Sequence, residues 1–167
     1  MNRLRACGPA DLDAILAVVN DAAQAYQGAI PADRWHEPYM ARAELEAEIA
    51  AGVRFWGWEE GGELAGVMGL QDRGEVDLIR HAYVRTRDRR HGIGARLLAH
   101  VERLSAKPIL IGTWAAAQWA IDFYEKHGYR VLAREDTERL LRRYWSVPER
   151  QIATSVVLAS ARWGAGR

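Results

Sequence analysis

The chain has 167 residues, 49% of them hydrophobic and 27% charged, with 23 Lys+Arg against 22 Asp+Glu and a formal net charge of +1. So small a charge excludes a broad field for nucleic acid or membrane surfaces, and the single cysteine, Cys7, excludes an internal disulfide framework. No apolar run approaches the ~20 residues of a membrane span, and Met1-Asn2-Arg3-Leu4-Arg5 has no apolar run behind it to act as a signal peptide. The expectation is one cytoplasmic domain over residues 1–167, without repeats or linkers. The histidines are scattered with no metal-ligand spacing, so no metal is expected.

Residues 2–6 alternate weakly and read as a first strand. Gly8-Pro9-Ala10-Asp11 opens a helix whose apolar positions Leu12, Ile15, Leu16, Val19, Ala22 and Ala23 repeat at helical spacing to about Tyr26. Gly28-Ala29-Ile30-Pro31 breaks it, and a turn-like stretch rich in Trp, His, Tyr and Pro follows to Met40. A shorter helix spans 43–50, with Leu45 and Ile49 on one face and Gly52 at its end. Residues 53–59 and 63–71 form a hairpin about Glu60-Gly61-Gly62. Asp72-Arg73-Gly74 turns into a buried strand over 76–84, and a helix runs from Ala95 to Leu104. Pro108 stops that helix, 109–113 is a short buried strand, 114–127 is helical with Gly128 beyond its end, and 129–133 starts another strand. Residues 140–145 are ambiguous, 151–158 is the last strand, and 163–167 should fray. This order gives an α/β (α+β) domain, a mixed sheet with helices on both faces. Its parallel contact lies between the strands ending at Val84 and Thr113.

The most informative stretch is Arg89-Arg90-His91-Gly92-Ile93-Gly94, between a strand and a helix. Glycines there let the backbone approach a ligand, and the helix start presents unpaired N–H groups and a positive dipole end. Such a turn binds phosphate, and the basic residues Arg85, Arg87, Arg89, Arg90 and His91 add charge of matching sign. A Walker loop is excluded because no Lys follows the glycines. A dinucleotide loop is excluded because Leu97 stands where a third Gly is needed and the loop lies mid-chain.

The same six residues match the acyl-CoA loop of the GNAT family of N-acetyltransferases, Gln/Arg-x-x-Gly-x-Gly/Ala, at every specified position. Downstream, Ala120-Ile121-Asp122-Phe123-Tyr124-Glu125-Lys126-His127-Gly128-Tyr129 resembles that family's Ala-Ile-x-Phe-Tyr-Glu-Lys-x-Gly-Phe segment, and Asp11-Leu12-Asp13-Ala14-Ile15 resembles its first-helix opening. The resemblance covers about residues 3–158, leaving 159–167 as a tail. It implies a mostly antiparallel twisted sheet of about six to seven strands whose parallel pair splays apart to hold CoA.

The resemblance also implies the chemistry: transfer from acetyl-CoA to the amine of a small-molecule or amino-acid-like acceptor, by direct attack in a ternary complex. A protein N-acetyltransferase and a non-catalytic acyl-CoA sensor are the alternatives. The backbone of Arg89, Arg90, His91, Gly92, Ile93, Gly94 and Ala95 would face the pyrophosphate, and Ala82, Tyr83 and Val84 would pair with the pantetheine arm as an added half-strand, the Val84 N–H polarising the thioester carbonyl. A solvated loop accounts better for Arg85 and Arg87. Tyr124 would protonate the leaving thiolate, a phenol of pKa about 10 being able to regain its proton from solvent. Ala117 departs from the family, which often places Asn there against pantetheine, and Gln118 lies about 100° round the helix.

Candidates for the base are His81 and Asp77, placed on one strand face opposite Arg80 unless a bulge inverts them, and His36 or Glu37. The acceptor pocket is expected from residues 26–40 and the loop before the last strand, with Trp35, His36 and Tyr39 foremost, then Tyr144, Trp145 and Arg150. Arg34, Arg142, Arg143 or Arg150 would clamp a carboxylate. Cys7 reads as a small packed residue, not a nucleophile. The Trp-rich stretch from Trp145 to Trp163 is a candidate homodimer face.

Overall fold

Gly61 and Gly62 adopt left-handed φ of 57° and 85°, the pair of positive values that a two-residue hairpin turn requires. They join β2 (Arg54–Glu60) to β3 (Glu63–Asp72), and β1 (Arg3–Ala6) adds antiparallel to β2. In the computed structural model, which describes residues 1–165, the sheet continues through β4 (Asp77–Val84), β5 (Ile109–Trp114), β7 (Ser155–Ala159) and β6 (Arg130–Val131). Its order is β1-β2-β3-β4-β5-β7-β6. Every neighbouring pair is antiparallel except β4 and β5. Those two are connected through α3 (Ile93–Leu104), as a parallel crossover demands.

Helices cover both faces. On one, Leu97, Leu98 and Val101 of α3 and Ile121 and Tyr124 of α4 (Gln118–Lys126) pack on Met68, Leu70, Ile79, Ile111 and Leu158. On the other, α1 (Leu12–Ala22) and α2 (Arg42–Ala50) bury Ile15, Val18, Val19 and Leu45 on Val53, Phe55, Leu64 and Val67. Further along that face α5 (Arg134–Tyr144) and the short α6 (Glu149–Ala153) bury Leu140, Leu141, Tyr144 and Ile152 on Leu78, Leu110 and Val157. Gly66 lets α3 seat closely: a Cβ there would lie 2.9 Å from Ile93 Cγ2 and 3.3 Å from Leu97 Cδ1.

Two irregularities position the site. The parallel pairing runs Asp77↔Ile109, Leu78↔Leu110 and Ile79↔Ile111, then stops, so the C-terminal halves of β4 and β5 part and leave a slot. In β4 the register against β3 jumps from Gly69↔Arg80 to Val67↔Tyr83, so that His81 and Ala82 together oppose Met68. His81 takes up this bulge with a φ of 53°.

Several sequence expectations are corrected. Trp114 belongs to β5, pairing with Ser155, and helix α4 begins only at Gln118. The first helix is tightened at both ends into 3₁₀ turns, Pro9–Asp11 and Ala23–Tyr26. The ambiguous residues 140–145 fall mostly in α5. Pro148 caps α6, its carbonyl accepting from Gln151 and Ile152, so the last strand starts at Ser155 and not at Gln151. The strand after Gly128 keeps two residues because Ala133 caps α5. Ile49 is 41% exposed, and α2 turns Glu48 toward the sheet with Leu45.

The tail is tied down as far as Trp163. Ser160 Oγ accepts from the Ile109 N–H at 2.9 Å, Arg130 Nη2 donates to the Trp163 carbonyl at 2.8 Å, and the indole packs on the α5 cluster. Of the stretch expected to fray, 166–167 lie outside the described residues. Trp145 lies against Gly112, whose added Cβ would sit 3.2 Å from the indole, and both Trp145 and Trp163 are half-buried against the α5 cluster. No helix among the described residues is long and apolar enough to cross a membrane.

Candidate active site

The strand-to-helix loop is a concave run of backbone N–H groups. Arg90 and Gly92 have left-handed φ of 68° and 75°, an alternation that turns successive amides to one side. Gly92 caps α3 and its carbonyl accepts from Arg96, so the N–H groups of the first turn have no intrahelical partner. The Arg89 N–H is the exception to the expected run, since it reaches back to the Thr86 carbonyl at 3.5 Å. The loop is fastened to α1 by the Thr86 N–H to Asp21 Oδ2 at 2.8 Å and by Arg89 Nη2 to the Ala22 carbonyl at 3.2 Å. Arg85 is spent on the Leu64 carbonyl, and Arg87 pairs with Glu63 and Asp88 on the surface.

Behind this loop a cavity of about 440 Å³ runs along the C-terminal half of β4, beside α3 and α4, while Gly112, Thr113 and Trp114 of β5 line a different cavity across the parting of the two strands. Ala82, Tyr83, Val84, Arg89, Arg90, Gly94 and Tyr124 line it, as do Phe123 and Trp119. Gly94 lies against the Phe123 ring, 3.4 Å from an added Cβ. His91 is exposed at the rim, while the Ile93 side chain is buried in the core, so His91, Gly92, Ile93 and Ala95 present backbone to the loop concavity and do not line the cavity. The Arg85 N–H donates to the Ala65 carbonyl at 2.8 Å. Ladder alternation therefore turns the Val84 N–H away from β3, toward the slot.

Tyr124 is 5% exposed, edge-on to Phe123 and Tyr129 with ring centroids 5.1 and 5.7 Å away. Burial, reinforced by Tyr26, holds its hydroxyl well above the ordinary value of 10, so it stays protonated at neutral pH. Ala117 is fully buried at the start of α4, and Gln118 turns outward to Asp122 at 2.7 Å, so neither supplies a polar group to the slot.

A second cavity, of about 290 Å³, opens on the other side of Tyr83 and Tyr26, which line both. Its floor is the β4 bulge. Glu48 accepts from Arg80 Nη2 at 2.9 Å and makes a short hydrogen bond with His81 Nε2. Burial pushes the Glu48 carboxyl up, but the His81 hydrogen bond and the Arg80 charge outweigh it and leave the group below its ordinary 4.5. Glu48 is thus a carboxylate, and it fixes the His81 ring. Tyr26 Oη donates to Tyr83 Oη at 3.4 Å, and Trp114 Nε1 donates to Tyr39 Oη at 3.0 Å. Burial raises all three tyrosines above 10, so the wall between the cavities is uncharged.

The bulge therefore corrects the expected strand face. His81 joins Arg80 on Glu48, while Asp77 is buried against Ser105 Oγ at 2.5 Å and Lys107 Nζ at 3.2 Å, outside either cavity. His36 and Tyr39 line this second cavity, and Trp145 does also. Trp35 does not: it stacks behind Tyr39 at 5.9 Å and packs on the core. Tyr144 is core, Glu37 is exposed, and Arg150 pairs with Asp33. Arg142 and Arg143 pair with Glu149 and Glu75. Tyr26 falls at the start of the segment expected to line a pocket, whereas Glu48 and Trp119 have no such local signature. Glu48 follows Leu45 by one turn, which places a carboxylate on the inward stripe of α2, and that was the signal available. No group of three or more His, Cys, Asp or Glu able to hold a metal occurs among the described residues.

The chain matches the model of an acetyltransferase (GNAT) domain over residues 20–142. No curated protein matches it. Among solved structures it is similar to the PaiA N-acetyltransferase of Thermoplasma acidophilum, in complex with coenzyme A, with a TM-score of 0.73 at 17% identity over 96% of this chain and 98% of that one. It is also similar to the ribosomal-protein-S18-alanine N-acetyltransferase of Escherichia coli, with a TM-score of 0.67 at 16% identity over 96% and 93% of the two chains. The N-acetylglutamate synthase of Neisseria gonorrhoeae aligns at 0.63 and 18% identity, over 96% of this chain and 35% of that one. At such identities the likeness is one of fold. With the family model spanning most of the chain and the sheet splitting between β4 and β5, the chain belongs to the GNAT acetyltransferase family.

Proposed function

We propose that this protein is an N-acetyltransferase that moves the acetyl group of acetyl-CoA to the amine of a small molecule within a ternary complex. The observation that carries this is the shared wall: Tyr26 and Tyr83 line both cavities, so a ligand in each would meet at the β4 bulge. The residues present fit the cofactor. Arg90 and Gly92 shape the amide concavity, Arg89 and Arg90 bring positive charge, and the slot beyond Ile79 leaves the Val84 edge unpaired.

When bound, acetyl-CoA supplies an activated thioester. The Val84 N–H donates to the acetyl carbonyl oxygen as negative charge grows there. His81, held by Glu48, accepts the proton that the acceptor amine sheds as its nitrogen bonds to the acetyl carbon. Tyr124 gives its proton to the sulfur as the carbon–sulfur bond breaks. Arg89 and Arg90 hold the diphosphate, and the apolar slot of Met68, Leu97 and Phe123 excludes water.

Tyr124→Phe tests the assignment. Turnover should fall by about 100-fold, the usual worth of a positioned acid, while CoA affinity stays within about twofold. Loss of both in equal measure would remove Tyr124 from the chemistry and leave it as packing.

A further inference from the structure

Arg34 Nε is the one buried side-chain nitrogen or oxygen without a hydrogen-bond partner among the described residues. Arg34 lines the acceptor-side cavity and makes no ion pair among the described residues, although most arginines of the chain are engaged with carboxylates or carbonyls. A buried guanidinium nitrogen without an acceptor is costly and rare in a native chain. The nearest carboxylate in sequence, Asp33, is drawn away by Arg150 at 3.3 and 3.4 Å. The segment that carries Arg34 is anchored on both sides. Asp33 is tied to α6 through Arg150, and Met40 exchanges two hydrogen bonds with the Asn20 side chain at 2.8 and 3.0 Å.

The other charges of the cavity complete a pattern. Arg80 and Glu48 satisfy each other, with Gln71 and His81. Arg34 and Glu44 remain, one of each sign, and Glu44 stands one turn before Glu48 on α2. A polyanion would meet two glutamates and a polyamine two arginines. A zwitterion meets each charge with its opposite. The rest of the lining is mixed, with Tyr39, Leu141, Trp145 and Val147 beside Thr113, Ser146, Gln151 and Ser155.

We infer that Arg34 binds a carboxylate of the acceptor, so that the acceptor class is amino acids, acetylated on the amine. The guanidinium fork matches a carboxylate in two parallel hydrogen bonds. Glu44, one turn before Glu48 on α2, draws the ammonium toward that side of the cavity. The inference rests on the proposal that this cavity receives the acceptor.

The experiment compares phenylalanine, leucine and methionine, each beside its amide and the amine lacking the carboxyl group, by thiol release from acetyl-CoA. The wild type should favour the acid over its amide by about 10- to 100-fold in kcat/KM, the worth of one charged hydrogen-bonded contact. Arg34→Met should bring that ratio toward one, and Arg34→Lys should recover part of it, since Lys restores charge without the fork. A wild-type ratio at or below one overturns the inference while leaving the transferase intact. So does a fall for acid and amide alike in Arg34→Met. If no compound releases thiol, the quenching of tryptophan fluorescence by each amino acid is titrated on the CoA-loaded protein. Binding present in the wild type and lost in Arg34→Met upholds Arg34 and refutes the transferase. Binding absent from the wild type, or unchanged in the variant, refutes Arg34.

Discussion

Glu48 is held ionised by its partners against the burial that opposes ionisation. Its folded value lies below the ordinary 4.5, so its contribution to stability is full above the unfolded value and is lost as pH falls through the folded one. Glu48→Gln should therefore cost about 2 kcal/mol at pH 7, less than breaking a fully buried pair because the carboxylate keeps some solvent contact. Urea midpoints for wild type and variant should converge as the pH drops below about 4.5. A gap that persists unchanged in acid would mean that Glu48 contributes packing alone. Cys7 illustrates the opposite case. Burial, helped by Asp11, pushes its thiol up to about 11, so at neutral pH it is held as the thiol and is a poor nucleophile. Cys7→Ala should keep its turnover, and intact mass after incubation with acetyl-CoA should show no acetyl-enzyme. An acetylated Cys7 peptide would contradict direct transfer. At this scale the sequence was legible where a side chain has a local signature, as at Tyr124 and Arg89–Arg90. It was not legible at Glu48, because apolar periodicity favours Ile49 and only the fold shows which neighbour turns inward.

Element by element, backbone irregularities decide where the chemistry sits. The bulge at His81 turns the histidine onto Glu48 and away from Asp77, and no residue in 76–84 announces it, since the φ of 53° falls on a histidine and not on a glycine. The slot follows from pairing that ends at Ile79 and Ile111, a property of two strands far apart in sequence. The glycines are more readable, and they separate packing from function. Gly66→Ala drives a methyl to 2.9 Å from Ile93 and 3.3 Å from the Tyr83 carbonyl. It should cost about 2 kcal/mol through overpacking. Gly94→Ala meets the Phe123 ring at 3.4 Å and Val84 Cγ2 at 3.9 Å, both tolerable contacts within a helix, where alanine is the better former, and its stability should match or exceed wild type. Paired thermal melts check both, and equal losses in the two variants would mean that α3 is not seated as described. Short elements were the hardest to read. The two residues of β6 and the five of α6 have too little periodicity to register, and their bounds are set by caps at Ala133 and Pro148.

Across the whole molecule, one sheet places two cavities back to back. One, proposed for the cofactor, is assembled from the loop at 89–94, the open edge of β4 and α4; the other, proposed for the acceptor, from the segment after α1, α2 and the approach to β7. Only the Tyr26–Tyr83 wall separates them, and that wall is held neutral by burial. The sheet with helices on both faces was legible from the order of elements, and the cofactor side from two local motifs. Of the second cavity, the lining from residues 26–40 and from the loop before β7 was legible as well, while Glu44, Glu48 and the β4 bulge were not, because only the fold brings them to it. Direct transfer across this wall requires both ligands to be present together. The most direct measurement is release of free thiol from acetyl-CoA by the purified protein, with and without an amine acceptor. Release that depends on the acceptor and falls about 100-fold in Tyr124→Phe is the predicted result. Failure of acetyl-CoA to bind the wild-type protein, or thiol release indifferent to every acceptor, would contradict it.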